Sequence, residues 1–290
     1  MDTSDKDTPA ISFELFPPKT EKGMEKLKTV VGELNHLNPE YFSVTYGAGG
    51  STQERTFATV DWLREQGIDT APHLSCIGTD KEEILEILTR YREQGIHRIV
   101  ALRGDLPSGS GLGGLGELNY ANELVALIRQ SFGEDFHIEV AAYPEFHPQA
   151  ENALADLDNF RRKVESGAHG AITQYFYSAD AYWRFLDDCK QRGIDIPIVP
   201  GIMPITNYSS LARFSDACGA EIPRWIRKRL EAYGDDLSSI QAFGAEVVTA
   251  LCRQLLEGGA PGLHFYTMNQ SGSVLEICSG LGIASGASAT

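Results

Sequence analysis

Three kinds of residue in this chain have types and positions that suit chemistry. Glu14 is an acid inside a short β-prone run, residues 11–16, flanked by Phe13, Leu15 and Phe16. Apolar surroundings disfavour the charged form of a carboxyl group, which suits a general acid working near neutral pH. Residues 98–107 form an apolar run that breaks off at Arg103, Gly104 and Asp105. A buried strand has no packing use for opposite charges hinged on a glycine at its end, so these residues look placed for a ligand. Similar polar residues close other apolar runs: Thr45 and Tyr46, His73, Tyr143 with His147 just beyond, and Gln174. Each also has a structural reading. His73 could be a satisfied core histidine, Arg103 and Asp105 an ion pair, and Gln174 a partner for loop backbone groups.

After Tyr143 and His147 comes a stretch with helical spacing in which Asp156, Asn159 and Lys163 share one face, with Arg162 beside it. Such a face is usually just solvated. Following those two rings directly, it could instead hold a phosphate-bearing ligand on Arg162 and Lys163 while Asp156 takes a ribose hydroxyl. The histidines lack paired metal-ligand spacing, no Ser-His-Asp order stands out, and no lysine ends a strand where a Schiff base would form. Residues 111–116 satisfy GxGxxG, but they lie several residues beyond the strand, so the tight strand-to-helix turn of a dinucleotide fingerprint is missing and the segment reads as a flexible loop.

The elements that must position these residues follow one rhythm. Strands are expected at 11–16, 41–46, 71–76, 98–102, 137–143, 170–174, 196–201 and 262–267, each followed by a helical stretch. Strand starts recur about every 30 residues until a longer final unit, residues 205–258, which holds more than one helix around Pro223. Eight such units without a linker predict one (β/α)₈ TIM barrel over residues 1–290, with extra helices before the last strand and flexible tails at 1–10 and 284–290. The candidate residues then ring the C-terminal mouth, where barrel sites are built.

Composition fits a soluble globular enzyme, with 42% hydrophobic and 22% charged residues over 290 positions. A formal net charge of -15 argues against nucleic acid or anionic membrane partners. The polar N-terminus carries no signal or transit pattern and no run reaches membrane-span length. Five scattered cysteines without a CxxC pair read as reduced thiols, and the chain as cytoplasmic.

Eight segments resemble, in order and at nearly its spacing, the methylenetetrahydrofolate reductase family of the short bacterial type. They are Phe13-Glu14-Leu15-Phe16-Pro17-Pro18, Ser43-Val44-Thr45-Tyr46-Gly47, Ala71-Pro72-His73-Leu74, Leu102-Arg103-Gly104-Asp105-Leu106-Pro107, Ala142-Tyr143-Pro144-Glu145, Ala171-Ile172-Thr173-Gln174, Pro200-Gly201-Ile202 and His264-Phe265-Tyr266-Thr267. The resemblance implies a flavin-dependent (β/α)₈ barrel that binds FAD without a Rossmann fingerprint. It assigns flavin contacts to Thr45, His73, Arg103, Gly104, Asp105, Ala121, Tyr143, His147 and Ala150, continued along the helix by Asp156, Asn159, Arg162 and Lys163. Glu14 matches the general acid, Gln174 a residue that meets folate and nicotinamide, and Phe214 a ring that stacks on substrate.

The implied reaction is ping-pong. Reduced nicotinamide, NADH by resemblance although no fingerprint separates it from NADPH, gives hydride to FAD and leaves; methylenetetrahydrofolate then takes the hydride and becomes methyltetrahydrofolate, a methyl source for methionine synthesis. A carboxylate such as Asp105 near the flavin N1 destabilises its reduced form and makes it a stronger hydride donor. Ser210 and Gln270 stand where the best-known bacterial relatives carry Gln and Arg at substrate contacts, and the loop 108–118 is longer and glycine-rich. Relatives imply a homo-oligomer. A related flavin barrel oxidising another amine such as proline, and a non-catalytic flavin-binding protein, are the alternatives to the reductase.

Overall fold

The alternation of strand and helix signals resolves into a parallel barrel in the computed structural model, which describes residues 9–46, 51–104 and 117–283. The strands are β1 (Ala10–Leu15), β2 (Tyr41–Val44), β3 (Thr70–Ser75), β4 (Arg98–Leu102), β5 (His137–Ala142), β6 (Gly170–Thr173), β7 (Ile198–Val199), β8 (Gly201–Ile202) and β9 (Gly262–Tyr266). Helices α1 (Glu21–Asn35), α2 (Ser51–Glu65), α3 (Lys81–Glu93), α4 (Ala121–Phe132), α5 (Ala153–Glu165) and α6 (Ala179–Gln191) alternate with the first strands. The extra helices expected before the last strand are α7 (Tyr208–Cys218), α8 (Arg224–Tyr233) and α9 (Leu237–Glu257), and α10 (Gly272–Gly280) follows β9.

All pairings are parallel, in the order β7-β6-β5-β4-β3-β2-β1-β9-β8. The two edge pieces of that order, β7 and β8, are separated by the single residue Pro200, so the chain itself joins the edges and the barrel closes. The expected single strand over 196–201 is thus split in two. Proline has no N–H for a ladder, while its carbonyl still accepts from His264 N at 3.0 Å. The first strand begins at Ala10, which pairs with Gly262, so the expected N-terminal tail is shorter than 1–10.

Side-chain alternation in β1 shows how the barrel sorts its residues. Ile11, Phe13 and Leu15 face the helices, and the Phe13 ring lies 5.4 Å from Phe42 and 5.9 Å from Phe265. Most of the core fills this outer layer between sheet and helices; a small separate cluster of Tyr41, Ala71, Val100 and Ile172 packs by itself. Helix starts are fixed by side-chain caps: Thr20 accepts from Gly23 N at 3.1 Å, Asp80 from Glu83 N at 2.9 Å, and Asn152 from Ala155 N at 2.9 Å. All five cysteines are free thiols. Among the described residues no helix is long and apolar enough to cross a membrane.

Two glycines test the closure. A Cβ on buried Gly201 would stand 2.1 Å from the Thr173 carbonyl oxygen and 2.7 Å from the Tyr266 ring, whereas one on Gly32 in α1 meets nothing within 4 Å. Gly201→Ala is expected to lower unfolding free energy by about 3 kcal/mol and Gly32→Ala to raise it by about 0.5–1 kcal/mol, both read from denaturant titrations.

Candidate active site

Glu14 sits near the end of β1, level with Ser43 on β2 and Tyr266 on β9. Its backbone carbonyl accepts from Thr267 Oγ1 at 2.6 Å, which pins the strand end. The side chain is only 10% exposed. Its Oε2 lies 3.5 Å from His73 Nε2 and 3.9 Å from His264 Nε2. Both distances suit electrostatic contact but exceed a hydrogen bond, and neither Nε2 has another partner; Ser43 Oγ beside them is also buried without one. Three unpaired polar atoms around one buried carboxyl are costly in a finished core, and catalytic hydrogen bonds are often long until substrate arrives. His264 Nδ1 pairs with Ser12 Oγ at 2.7 Å. Burial pulls the His73 imidazole below its ordinary value, against the opposing pull of Glu14 and with a further push down from His264, so this ring favours its neutral form.

Beside this cluster, the end of β4 and the loop after β5 are tied together. Gly104 adopts φ +90°, and a Cβ there would fall 1.9 Å from Ser75 Oγ, so only glycine fits. Ser75 Oγ in turn donates to the Arg103 carbonyl at 2.8 Å. The Arg103 guanidinium donates to Gln149 Oε1, bringing it to the loop that holds Tyr143 and His147, whose rings meet edge to face at 4.7 Å. Within that loop Ala150 N donates to the His147 carbonyl at 2.9 Å. Thr45 N donates to the Leu15 carbonyl at 2.9 Å, which sets Thr45 next to the Glu14 strand. Ala121 opens α4. Asp105 and the glycine run 111–116 lie outside the described residues.

On α5 the expected polar face divides. Asp156 Oδ2 accepts from His147 N at 2.9 Å, so it anchors the loop. Arg162 is exposed and donates to Asn159 Oδ1 at 3.0 Å. Lys163 turns beneath the strands and donates to the Ala141 carbonyl. Burial pulls its amine down to about 8, with Asp156 opposing. An ammonium held in a desolvated place with a carbonyl as its hydrogen-bond partner is suited to an incoming anion.

Opposite, Gln174 continues the β6 ladder through its N–H to the Ala142 carbonyl at 2.7 Å, and its Oε1 accepts from Tyr175 N at 3.0 Å. A small crevice lined by Tyr143, Gln174, Tyr175 and Cys218 connects the ends of β5 and β6 to α7. Ser210 and Phe214 stand one turn apart on α7, where Ser210 N is capped by Asn207 Oδ1 at 2.9 Å and Phe214 is 38% exposed. Gln270 is exposed in the turn after β9.

Several structurally important residues escaped the sequence reading. His264 completes the Glu14 cluster; its period-two alternation with Tyr266 was the available signal. Gln149 and Asn269 gave none. Asn269 accepts from Phe16 N at 2.9 Å and donates to the Phe16 carbonyl at 2.8 Å, from a turn in which Met268 and Asn269 both take positive φ. Phe146 is likewise at φ 77°. Strained backbone thus gathers in loops after the strands, as at functional sites elsewhere.

Lys163 offers a direct electrostatic check. Its amine falls from 10.5 to about 8 on folding, so the folded chain disfavours the charge. Lys163→Met is expected to raise the Tm of cofactor-free protein by about 2–4 °C. The sign fixes the pH window: the advantage is complete below pH 8, where both states carry the charge, and fades towards 10.5, where neither does. Scanning calorimetry of both proteins across that range reads it.

The same arrangement of strands and motifs occurs in known proteins. A sequence profile of the methylenetetrahydrofolate reductase family matches residues 1–282. The chain is 40% identical over 277 residues to 5,10-methylenetetrahydrofolate reductase of Escherichia coli, covering 95% of this chain and 92% of that one. It is 38% identical to a probable methylenetetrahydrofolate reductase (NADH) of Oryza sativa, covering 94% of this chain and 48% of that longer one. Among solved structures, an uncharacterised protein from Clostridium thermocellum that binds two copies of 5-methyl-5,6,7,8-tetrahydrofolic acid superposes with a TM-score of 0.65 at 20% identity, covering 96% of this chain and 94% of that one, a likeness of fold. The chain belongs to the methylenetetrahydrofolate reductase family, oxidoreductases that reduce methylenetetrahydrofolate to methyltetrahydrofolate.

Proposed function

We propose that the chain performs this reduction with FAD as resident cofactor and NADH, in preference to NADPH, as donor, in ping-pong order with Glu14 as general acid. The observation that carries this reading is the buried Glu14 carboxyl facing two imidazole nitrogens that have no other partner. Breaking the ring C–N bond to form the iminium leaves the departing nitrogen in need of a proton, and a carboxyl group held at the strand end is a fit donor; the hydride then reduces the iminium without a further proton.

The residues present suit FAD. Lys163 is a desolvated cation awaiting an anion, which the pyrophosphate supplies. Arg103 adds a second positive group at the β4 end, and Gly104 leaves no side chain on the backbone there. Thr45, Ala121, Tyr143, His147 and Ala150 continue the binding surface, and Asp156 acts by fixing the His147 backbone. Asn159 and Arg162 extend the surface along α5. FAD when bound supplies the hydride relay between nicotinamide and folate, and the role of Asp105 in tuning it rests on the sequence motif.

The chain's own part in the chemistry is to hold and move a proton. Glu14 delivers it from its carboxyl group to a ring nitrogen of the folate, opening the ring to the hydride acceptor. The His73 imidazole, which burial keeps towards its neutral form, lies 3.5 Å from the carboxyl and orients it without a full charge beside it, and His264 faces it from the other side. Gln174 holds folate and nicotinamide in turn, and Phe214 stacks on the substrate ring at the edge of the mouth. Ser210 and Gln270, both polar and short of a full charge, meet the remainder of the folate. A single catalytic barrel working in the cytoplasm as a homo-oligomer, and a place in methyl supply for methionine synthesis, complete the proposal.

Purified protein is expected to be yellow, or to become so when FAD is supplied. Anaerobic NADH should bleach it, and methylenetetrahydrofolate should restore the colour. Protein that stays colourless with FAD sinks the cofactor assignment; bleaching without recovery by folate sinks the ping-pong reading.

A further inference from the structure

The barrel has a second polar site at its other end. A cavity of about 200 Å³ opens at the N-terminal mouth, lined by Ser12, Tyr41, Arg98, His137, Glu139 and apolar residues that include Val199 and Leu263. That is several times the ~30 Å³ share of one water molecule. Conserving stability alone would favour branched apolar side chains here, since the N-terminal face of such barrels does no chemistry.

Glu139 is the centre of the site. It is 4% exposed. One carboxylate oxygen, Oε1, takes both neighbours, Arg98 at 2.8 Å and His137 at 2.9 Å. The other, Oε2, is buried with no partner. A structural ion-pair cluster would share its donors between the two oxygens; this one leaves a whole acceptor unmet, which costs free energy unless a donor arrives. Gly170 opposite Glu139 lets the carboxylate pack over its backbone, because a Cβ there would lie 2.5 Å from Oε2. Arg98 is already committed, to Glu139 and to the Tyr41 ring 4.5 Å from its guanidinium. Glu40 adds a second carboxylate at the exposed rim, so acids outnumber arginine in the lining.

We propose that this cavity binds a small organic molecule through a primary ammonium group on a short apolar chain, with the ammonium donating to Glu139 Oε2 and the chain lying against Val199. The ammonium could belong to a free amine or to an amino acid. The site is separate from the folate end and meets it at Ser12, which lines the cavity and also pairs with His264 of the Glu14 cluster at 2.7 Å.

Calorimetric titration of the FAD-loaded protein tests it, with n-butylamine, L-norleucine and 1-butanol as probes. Saturable binding of butylamine, with none for the neutral alcohol of similar shape, supports the site. Binding of norleucine in place of butylamine also supports it and identifies the amino-acid source. Glu139→Gln, which keeps the shape and removes the charge, is expected to weaken binding about tenfold or more; should that variant fold poorly, the amine-against-alcohol comparison decides alone. Binding of neither amine, equal binding of 1-butanol, or undiminished binding to folded Glu139→Gln overturns the proposal.

Discussion

A carboxyl group inside a β-barrel is the constraint on which this structure depends. The interiors of such barrels are normally filled by layers of branched apolar side chains. Here Glu14, buried to within a tenth of its side-chain surface, forces its neighbours to be polar. Ser43, His73 and His264 surround it, Ser12 fixes His264 from below, and Thr267 ties down its backbone. The apolar core is displaced outward between sheet and helices, and what remains as a separate inner cluster is small. Stability is carried by that outer layer and by a close-packed closure at Gly201, which frees the interior for chemistry.

The polar interior has an electrostatic logic. Two imidazoles near a carboxyl would hold it as a carboxylate if they were charged, and burial works against that for His73. Lys163 shows the same principle with the opposite sign. Its ammonium is held where water is scarce, so the cost is relieved when an anionic group arrives. Both are features in which the empty scaffold is less than optimally stable and a ligand makes up the difference, as expected where function competes with stability.

Much of this was legible in the sequence because it rests on local signals. Apolar runs ended by glycine or polar residues gave the strands, and Glu14 stood out because an acid between Phe13 and Leu15 is hard to explain by packing; the caps Asp80 and Asn152, which set the starts of α3 and α5, were not read. The long final unit was legible as more than one helix around Pro223, and the structure makes it three. Less legible were contacts made across the barrel. The predicted closed barrel puts the last strand beside the first, but no local signal picked out His264 as the residue that meets Glu14 there. Pro200 splits a strand that reads as continuous, and the bond from His147 N to Asp156 has no signal in the helix spacing that made Asp156 a candidate. Long-range geometry sets these, and periodicity carries no record of it.

In the proposed reaction Glu14 supplies a proton to the folate step and to that step alone. Stopped-flow spectroscopy of Glu14→Gln, loaded with FAD, measures bleaching by NADH and recovery by methylenetetrahydrofolate separately. Bleaching is expected close to the wild-type rate, with recovery slowed by about a hundredfold or more. Equal slowing of both half-reactions, or a recovery as fast as wild type, would contradict it.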